Sequence, residues 1–218
     1  MTSRPLCPHC LRPASACLCS CVQPVHSRVQ LLVLQHSMEA GHAKNTARLL
    51  HLCLPGNRLE VGEVFDADTL QALLHAPWPE QASNAQVRAI LLYPPTPPDP
   101  QLPVVQPPEL PAHWLTQPET LRLVVIDGTW RKSRKMLYQN PGLQQLPRLS
   151  LLDVPAGRYA IRKAHAPGQL SSFEAAALAL AQLHGWQADS HPMQQLMCSF
   201  EQAMQLHQRL QHLPAHAD

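Results

Sequence analysis

Two sets of residues in this 218-residue chain have types and spacings that suit chemistry. The first is Asp127-Gly128-Thr129-Trp130, which follows the apolar run Leu123 to Ile126 and precedes the basic stretch from Arg131 to Lys135. The second is a cysteine pattern near the N-terminus, Cys7-Pro8-His9-Cys10 and then Cys17-Leu18-Cys19. A carboxylate, a hydroxyl and an indole at one strand end can hold a polar ligand. Cysteine pairs spaced C-x2-C and C-x-C can wrap two tight turns around one tetrahedral ion, and soft thiolates favour Zn²⁺. Four thiolates leave no open coordination position, so the expected role is structural. Cys21 is close enough in sequence to replace Cys19 as the fourth ligand, whereas Cys53 and Cys198 lie among apolar neighbours and read as core.

Short apolar runs such as Leu123 to Ile126 read as buried strands of a parallel sheet, and ligands of open α/β sheets lie beyond the carboxyl ends of such strands. Thr129 fits an N-cap, which puts Arg131 and Lys132 in the first helical turn, where cations oppose the positive end of the helix dipole. An anion held there removes that cost. The bland alternative is an Asp-Gly hairpin with a core tryptophan, but Trp130 to Leu137 lacks the alternation a second hairpin strand requires.

The formal charge of +2 conceals an asymmetry. From Asp127 to Lys163 there are eight cations against two acids, a local net charge of +6. Such a field beside a candidate site suggests a polyanionic partner such as RNA, with Lys132, Arg134, Lys135 and Lys163 as phosphate contacts. No run is long enough to span a bilayer and the N-terminus lacks a signal-peptide core, so a cytoplasmic protein with no membrane partner is expected.

The elements that position these residues follow from periodicity. Val29 to Gln35 reads as a strand, about Glu39 to Leu52 as a helix, and Leu59 to Val64 as a strand. Asp68 to His75 reads as a helix and Val87 to Tyr93 as a strand. Ten prolines between Pro94 and Pro118 mark a stiff surface loop, since such a segment cannot donate a regular ladder. Leu146 to Val154 is a further strand, leaving through Pro155 to Tyr159. Ser171 and Glu174 have capping-box spacing at the start of an alanine-rich helix reaching about His184. A last helix spans about Pro192 to Leu213. The expected organisation is a cysteine-rich segment, residues 1–26, and one α/β domain, residues 27–218.

Taken in order, the C-x2-C-x6-C-x-C opening, Gln35-His36, Asn45-Thr46, Asp127-Gly128-Thr129-Trp130 and Arg158-Tyr159 with Ile161-Arg162-Lys163 resemble the DTW-domain family of tRNA-uridine aminocarboxypropyltransferases. Leu170-Ser171-Ser172-Phe173-Glu174-Ala175 completes the set, which spans positions 7 to about 175. The proline-rich loop and the additional Cys21 depart from the pattern without touching its central motif.

The resemblance implies a SPOUT-like, mostly parallel sheet flanked by helices, with a knotted C-terminal pocket for S-adenosyl-L-methionine. It implies transfer of the 3-amino-3-carboxypropyl group to N3 of a tRNA uridine, with release of methylthioadenosine. Asp127, Thr129 and Trp130 form the implied catalytic motif. Gln35, His36, Asn45, Thr46, Arg131, Arg158, Arg162, Ser171, Ser172 and Glu174 are the implied cosubstrate contacts. Three carbons on the sulfonium are electrophilic, so the outcome depends on which one faces the nucleophile. A cation on the methionine carboxylate fixes that pose, and Arg131, Arg158 and Arg162 are candidates. Asp127 is placed either to take the imide proton or to hold the cosubstrate's ammonium or ribose, and Trp130 to stack on adenine or the target base. A SPOUT-type RNA methyltransferase and a non-enzymatic zinc-dependent RNA-binding protein are the alternatives.

Overall fold

The computed structural model describes residues 5–42, 45–78, 86–95, 105–151 and 170–212. Its centre is a five-stranded parallel sheet of β1 (Gln30–Gln35), β2 (Arg58–Val61), β3 (Arg88–Leu92), β4 (Leu121–Asp127) and β5 (Arg148–Leu149). The strand order is β2-β1-β4-β3-β5, and every pairing is parallel. All residues of β1 and β4 are buried, as the unbroken apolar runs anticipate for strands covered on both faces.

Successive side chains alternate between the two faces. Leu31, Val33, Leu123, Val125 and Ile90 enter one core, while Leu32, Leu34, Val124, Ile126 and Leu91 enter the other. The first core is closed by α2 (Ala47–Cys53), α6 (Ser172–His184) and α7 (His191–His212), the second by α3 (Ala67–His75), α4 (Trp130–Gln139) and α5 (Pro141–Gln144). A short α1 (Ser37–Ala40) leaves β1.

The expected helix from about Glu39 to Leu52 is two helices, α1 and α2. Gly41 ends the first, and Thr46 is the N-cap of the second, with Asn45 just before it accepting the Arg48 N–H at 3.2 Å. That interruption lifts Asn45 out of a helix interior and leaves its amide free to turn toward the sheet. The strand expected to reach Val64 stops at Val61, after which Glu63 turns toward β1. Between Pro111 and Thr120 the proline-rich segment folds into two 3-10 turns, and Trp114 and Leu115 pack on the first core. Residues 96–104 lie outside the described residues, as do Asp153, Val154 and the whole 152–169 stretch where a knotted crossing would run.

The cysteine-rich segment packs directly on this domain. Cys10, Leu18, Cys21 and Val25 are buried in the first core together with Leu196 and Phe200 of α7. No helix among the described residues is long and apolar enough to cross a membrane.

Candidate active site

The chain leaves β1 toward β2 on one side and leaves β4 toward β5 on the other. The carboxyl ends of β1 and β4 therefore flank a topological switch point, where open α/β sheets bind ligands. Gln35 and Asp127 are the last residues of these strands and lie in register. The Asp127 carboxylate is 5 % exposed and accepts from three side chains of three elements. Gln35 Nε2 donates to Oδ2 at 2.9 Å, Asn45 Nδ2 to the same oxygen at 2.7 Å, and Ser172 Oγ to Oδ1 at 2.6 Å. Asn45 directly precedes the Thr46 cap of α2 and Ser172 opens α6, so two of the donors come from helix starts. Negative charge is favoured at such ends.

Gly128 gives the close approach that this turn requires. A Cβ there would stand 3.2 Å from Lys132 Cβ and 3.6 Å from His36 Cβ. The expected N-cap is present, with Thr129 Oγ1 accepting the Lys132 N–H at 3.4 Å. Trp130 is not a core residue: it is 61 % exposed and meets Tyr93 edge-on at 6.0 Å. The T-shaped contact orients the indole, most of which stays open to solvent.

The basic face of α4 is partly neutralised by acids that lie far away in sequence. Lys132 Nζ pairs with Glu39 at 2.7 Å, and Lys135 pairs with Glu63. The Lys135 ammonium, with His36 contributing less, holds the Glu63 carboxyl below the usual carboxylate range. His36 is 3 % exposed and bonded at both ring nitrogens. Its Nδ1 accepts the Met38 N–H at 3.1 Å, which assigns the ring proton to Nε2, 3.2 Å from Glu63. Arg131 is exposed beside the motif and Arg134 is half-buried.

At α6 the capping box is complete. Ser171 Oγ accepts the Glu174 N–H at 3.2 Å, while Glu174 Oε2 accepts from Ser171 N at 2.9 Å and Ser171 Oγ at 2.7 Å. Ser171 and Glu174 thus serve the helix, which in turn aims Ser172 at Asp127. Thr46 is buried at the head of α2. Arg158, Arg162 and Lys163 lie outside the described residues.

Cys7, Cys10, Cys17 and Cys19 bring four sulfurs within 4.8 Å of one another. The Cys7–Cys19 and Cys10–Cys17 separations are 3.6 and 3.7 Å. Zn–S bonds of about 2.3 Å at tetrahedral angles place sulfurs roughly 3.8 Å apart, so the cluster has the dimensions of a closed thiolate site and could hold a metal ion. Backbone N–H groups of Cys10 and His9 aim at the Cys7 sulfur and bring its thiol down to about 6. Burial and the neighbouring sulfurs push Cys19 up to about 12. Cys21 is instead a core residue, 5 % exposed.

Several residues of this neighbourhood carry no local sequence signal. Glu63, Tyr93, Arg12 and Arg48 belong to four separate segments, and only the fold brings them near the site. Glu39, read only as the start of a helix, likewise gave no sign of its partner Lys132.

The DTW-domain model matches residues 4–208. Among curated relatives, the tRNA-uridine aminocarboxypropyltransferase 2 of Drosophila melanogaster is 31 % identical over 186 residues, 81 % of this chain and 66 % of that protein. The proteins of the same name from Mus musculus and Macaca fascicularis are 28 % and 26 % identical, each alignment covering 82 % of this chain and 56 % of the relative. The chain thus spans little more than half the length of these two relatives. No solved structure matches it. With the match running from the cysteine cluster through the Asp127-Gly128-Thr129-Trp130 turn to α7, the chain belongs to the DTW-domain family.

Proposed function

We propose that the protein transfers the 3-amino-3-carboxypropyl group of S-adenosyl-L-methionine to N3 of a tRNA uridine. In that reaction N3 attacks the aminocarboxypropyl carbon attached to the sulfonium. The carbon–sulfur bond breaks, its electron pair stays on sulfur, methylthioadenosine leaves and the imide proton is lost. The observation that carries the reading is the Asp127 carboxylate, held by Gln35, Asn45 and Ser172 at the switch point of a DTW-family sheet. The names of the relatives supply the transferred group and the tRNA uridine, while the S-adenosyl-L-methionine donor and the N3 position come from the family resemblance.

Within this reading Asp127 is a clamp rather than a base. Gln35 and Asn45 take up Oδ2 and Ser172 one side of Oδ1, so the carboxylate is oriented by three neighbouring donors. Its one remaining lone pair, on Oδ1, suits an ammonium or a ribose hydroxyl of the cosubstrate. Arg131, Arg158 and Arg162 supply the cations for the methionine carboxylate, which fixes the carbon presented to the nucleophile. Trp130 offers an indole face to a base. Arg134, Lys163 and the outer edge of the Lys132 and Lys135 pairs face the tRNA backbone. A SPOUT-like fold with a knotted C-terminal cosubstrate pocket goes with this reaction. Zn²⁺ is the ion best suited to the cysteine cluster, where it would hold two turns together, with residues 1–26 as an appendage of the domain at 27–218. The cytoplasm is the corresponding location.

Mass spectrometry of nucleosides from tRNA incubated with the protein and S-adenosyl-L-methionine tests the reading. Aminocarboxypropyl-uridine with methylthioadenosine is expected. Methylated nucleoside with S-adenosylhomocysteine would replace it with the methyltransferase reading, and failure to bind the cosubstrate with the RNA-binding one.

A further inference from the structure

The cysteine segment is tied to the Asp127 shell by two arginines that reach in opposite directions. Arg12 stands in the loop between Cys10 and Cys17, and its carbonyl accepts the Cys7 N–H at 2.7 Å. Its Nη2 donates to the carbonyl of Asn45 at 2.8 Å. Arg48, in the first turn of α2, donates from Nη2 to the carbonyl of His9 at 2.7 Å, inside the Cys7–Cys10 turn. Between the two stands Asn45. Its Oδ1 accepts the Arg48 N–H at 3.2 Å and its Nδ2 donates to Asp127 at 2.7 Å.

Asn45 is therefore held at its backbone by Arg12, at its side-chain oxygen by α2 and at its side-chain nitrogen by Asp127. An asparagine in an irregular link between two short helices has many places to be, and charge-assisted bonds to carbonyls select one of them. Arg48 reaches a backbone carbonyl of the Cys7–Cys10 turn and Arg12 is itself part of the cysteine loop, so their grip depends on the fold of these turns.

We propose that Arg12 and Arg48 are positioning residues that couple the metal-binding cysteine segment to Asp127, by fixing the place from which Asn45 bonds the carboxylate. The structural part stands on these contacts, while its effect on cosubstrate binding rests on the proposed function. A clamp that merely anchors the cysteine segment would leave Asn45 and the carboxylate undisturbed.

The test uses Arg12→Met, Arg48→Met and the double variant in the full chain, each purified with its metal. Metal content is read by elemental analysis, the Arg48 and Leu50 amides by hydrogen exchange, and S-adenosyl-L-methionine affinity by calorimetry. The double variant is expected to keep its metal and its β1 and β4 protection, while the α2 amides exchange about tenfold faster and affinity falls about tenfold. Chelation of the wild-type metal should speed the same amides before those of the sheet. Unchanged α2 exchange overturns the proposal, as does faster exchange with unaltered affinity. Should the double variant fail to fold, the single variants are read by the same criteria. If the wild type binds no S-adenosyl-L-methionine, the proposed function fails and the exchange data alone decide the coupling.

Discussion

Gln35 and Asp127 end adjacent parallel strands in register, and the amide of the first donates to the carboxylate of the second at 2.9 Å. Because Asn45 and Ser172 complete the shell, Asp127→Asn is more than a loss of charge. An amide placed there presents a donor to donors. The variant should lose about 1–3 kcal/mol of stability and most of its affinity for S-adenosyl-L-methionine, whereas Ser172→Ala, which removes one donor to Oδ1, should do less of both. Denaturation and calorimetry on the two variants check this. Full affinity in Asp127→Asn with lost turnover would make Asp127 a base instead.

Arg122 lies at the opposite end of β4 and is fully buried. It donates to Gln30 Oε1 at 2.7 Å and to the carbonyls of Leu73 and Ala76 at 2.6 and 2.8 Å, with its guanidinium 4.1 Å from the Trp78 ring centre. Burial lowers its pKa to about 10, so it remains charged at neutral pH. Arg122→Met keeps much of the volume but strands three acceptors, and should destabilise the fold by about 3 kcal/mol. Cosubstrate affinity per folded molecule should not change. A denaturation midpoint equal to that of the wild type would show that water replaces the guanidinium without loss.

His184 stacks on Trp186 at 4.4 Å and contacts Ser27 Oγ at 3.0 Å. Burial, with a smaller contribution from Arg28, brings its pKa from 6.5 down to about 4. The unfolded chain thus takes up this proton before the folded one does. Stability from this group is complete above about pH 6.5 and falls as pH drops toward 4, by an amount on the order of 1 kcal/mol after solvent screening. His51 and His75 are shifted in the same direction, also chiefly by burial. Melting temperatures from pH 7.5 to 4.5 should fall less steeply for His184→Gln than for the wild type. Parallel curves would place the acid sensitivity elsewhere.

The ion pairs of α4 predict unequal contributions to tRNA binding. Lys132 and Lys135 already answer Glu39 and Glu63, so replacing either with Met should lower the log–log salt slope by less than the roughly one unit of an unopposed phosphate contact. Arg131 is assigned to the methionine carboxylate, so Arg131→Ala should lower cosubstrate affinity and change the slope least. Salt titrations of tRNA binding and calorimetry with S-adenosyl-L-methionine on the three variants check the order. A full unit lost in Arg131→Ala with unchanged cosubstrate affinity would move Arg131 to the tRNA.

Trp130 is largely outside the core, so Trp130→Ala should cost little stability, within about 1 kcal/mol. If its face receives a base, affinity for tRNA or for the cosubstrate should fall by roughly five- to one-hundred-fold. Separate titrations with each ligand identify the stacked base. Full affinity for both would leave the indole as a surface residue oriented by Tyr93.

Local pattern determined the strands, the cysteine cluster and the caps, because each depends on neighbours in sequence. The apolar run before Asp127, the Thr129 cap and the Ser171-Glu174 box were legible for that reason. The helix break near Gly41 was not, since the tendency of Leu49, Leu50 and Leu52 to continue a helix competes with the bond of Asn45 to a partner 82 residues away. Only the tertiary structure decided what Asp127 touches, that Trp130 faces outward, and that Glu39 and Glu63 offset two of the lysines. It also chose Cys19 over Cys21 for the sulfur cluster, by burying Cys21 beneath α7. These outcomes depend on strand order and on distances between segments remote in the chain. The Asp127 shell could be assembled only once β1, β4 and the heads of α2 and α6 had been brought to one edge of the sheet.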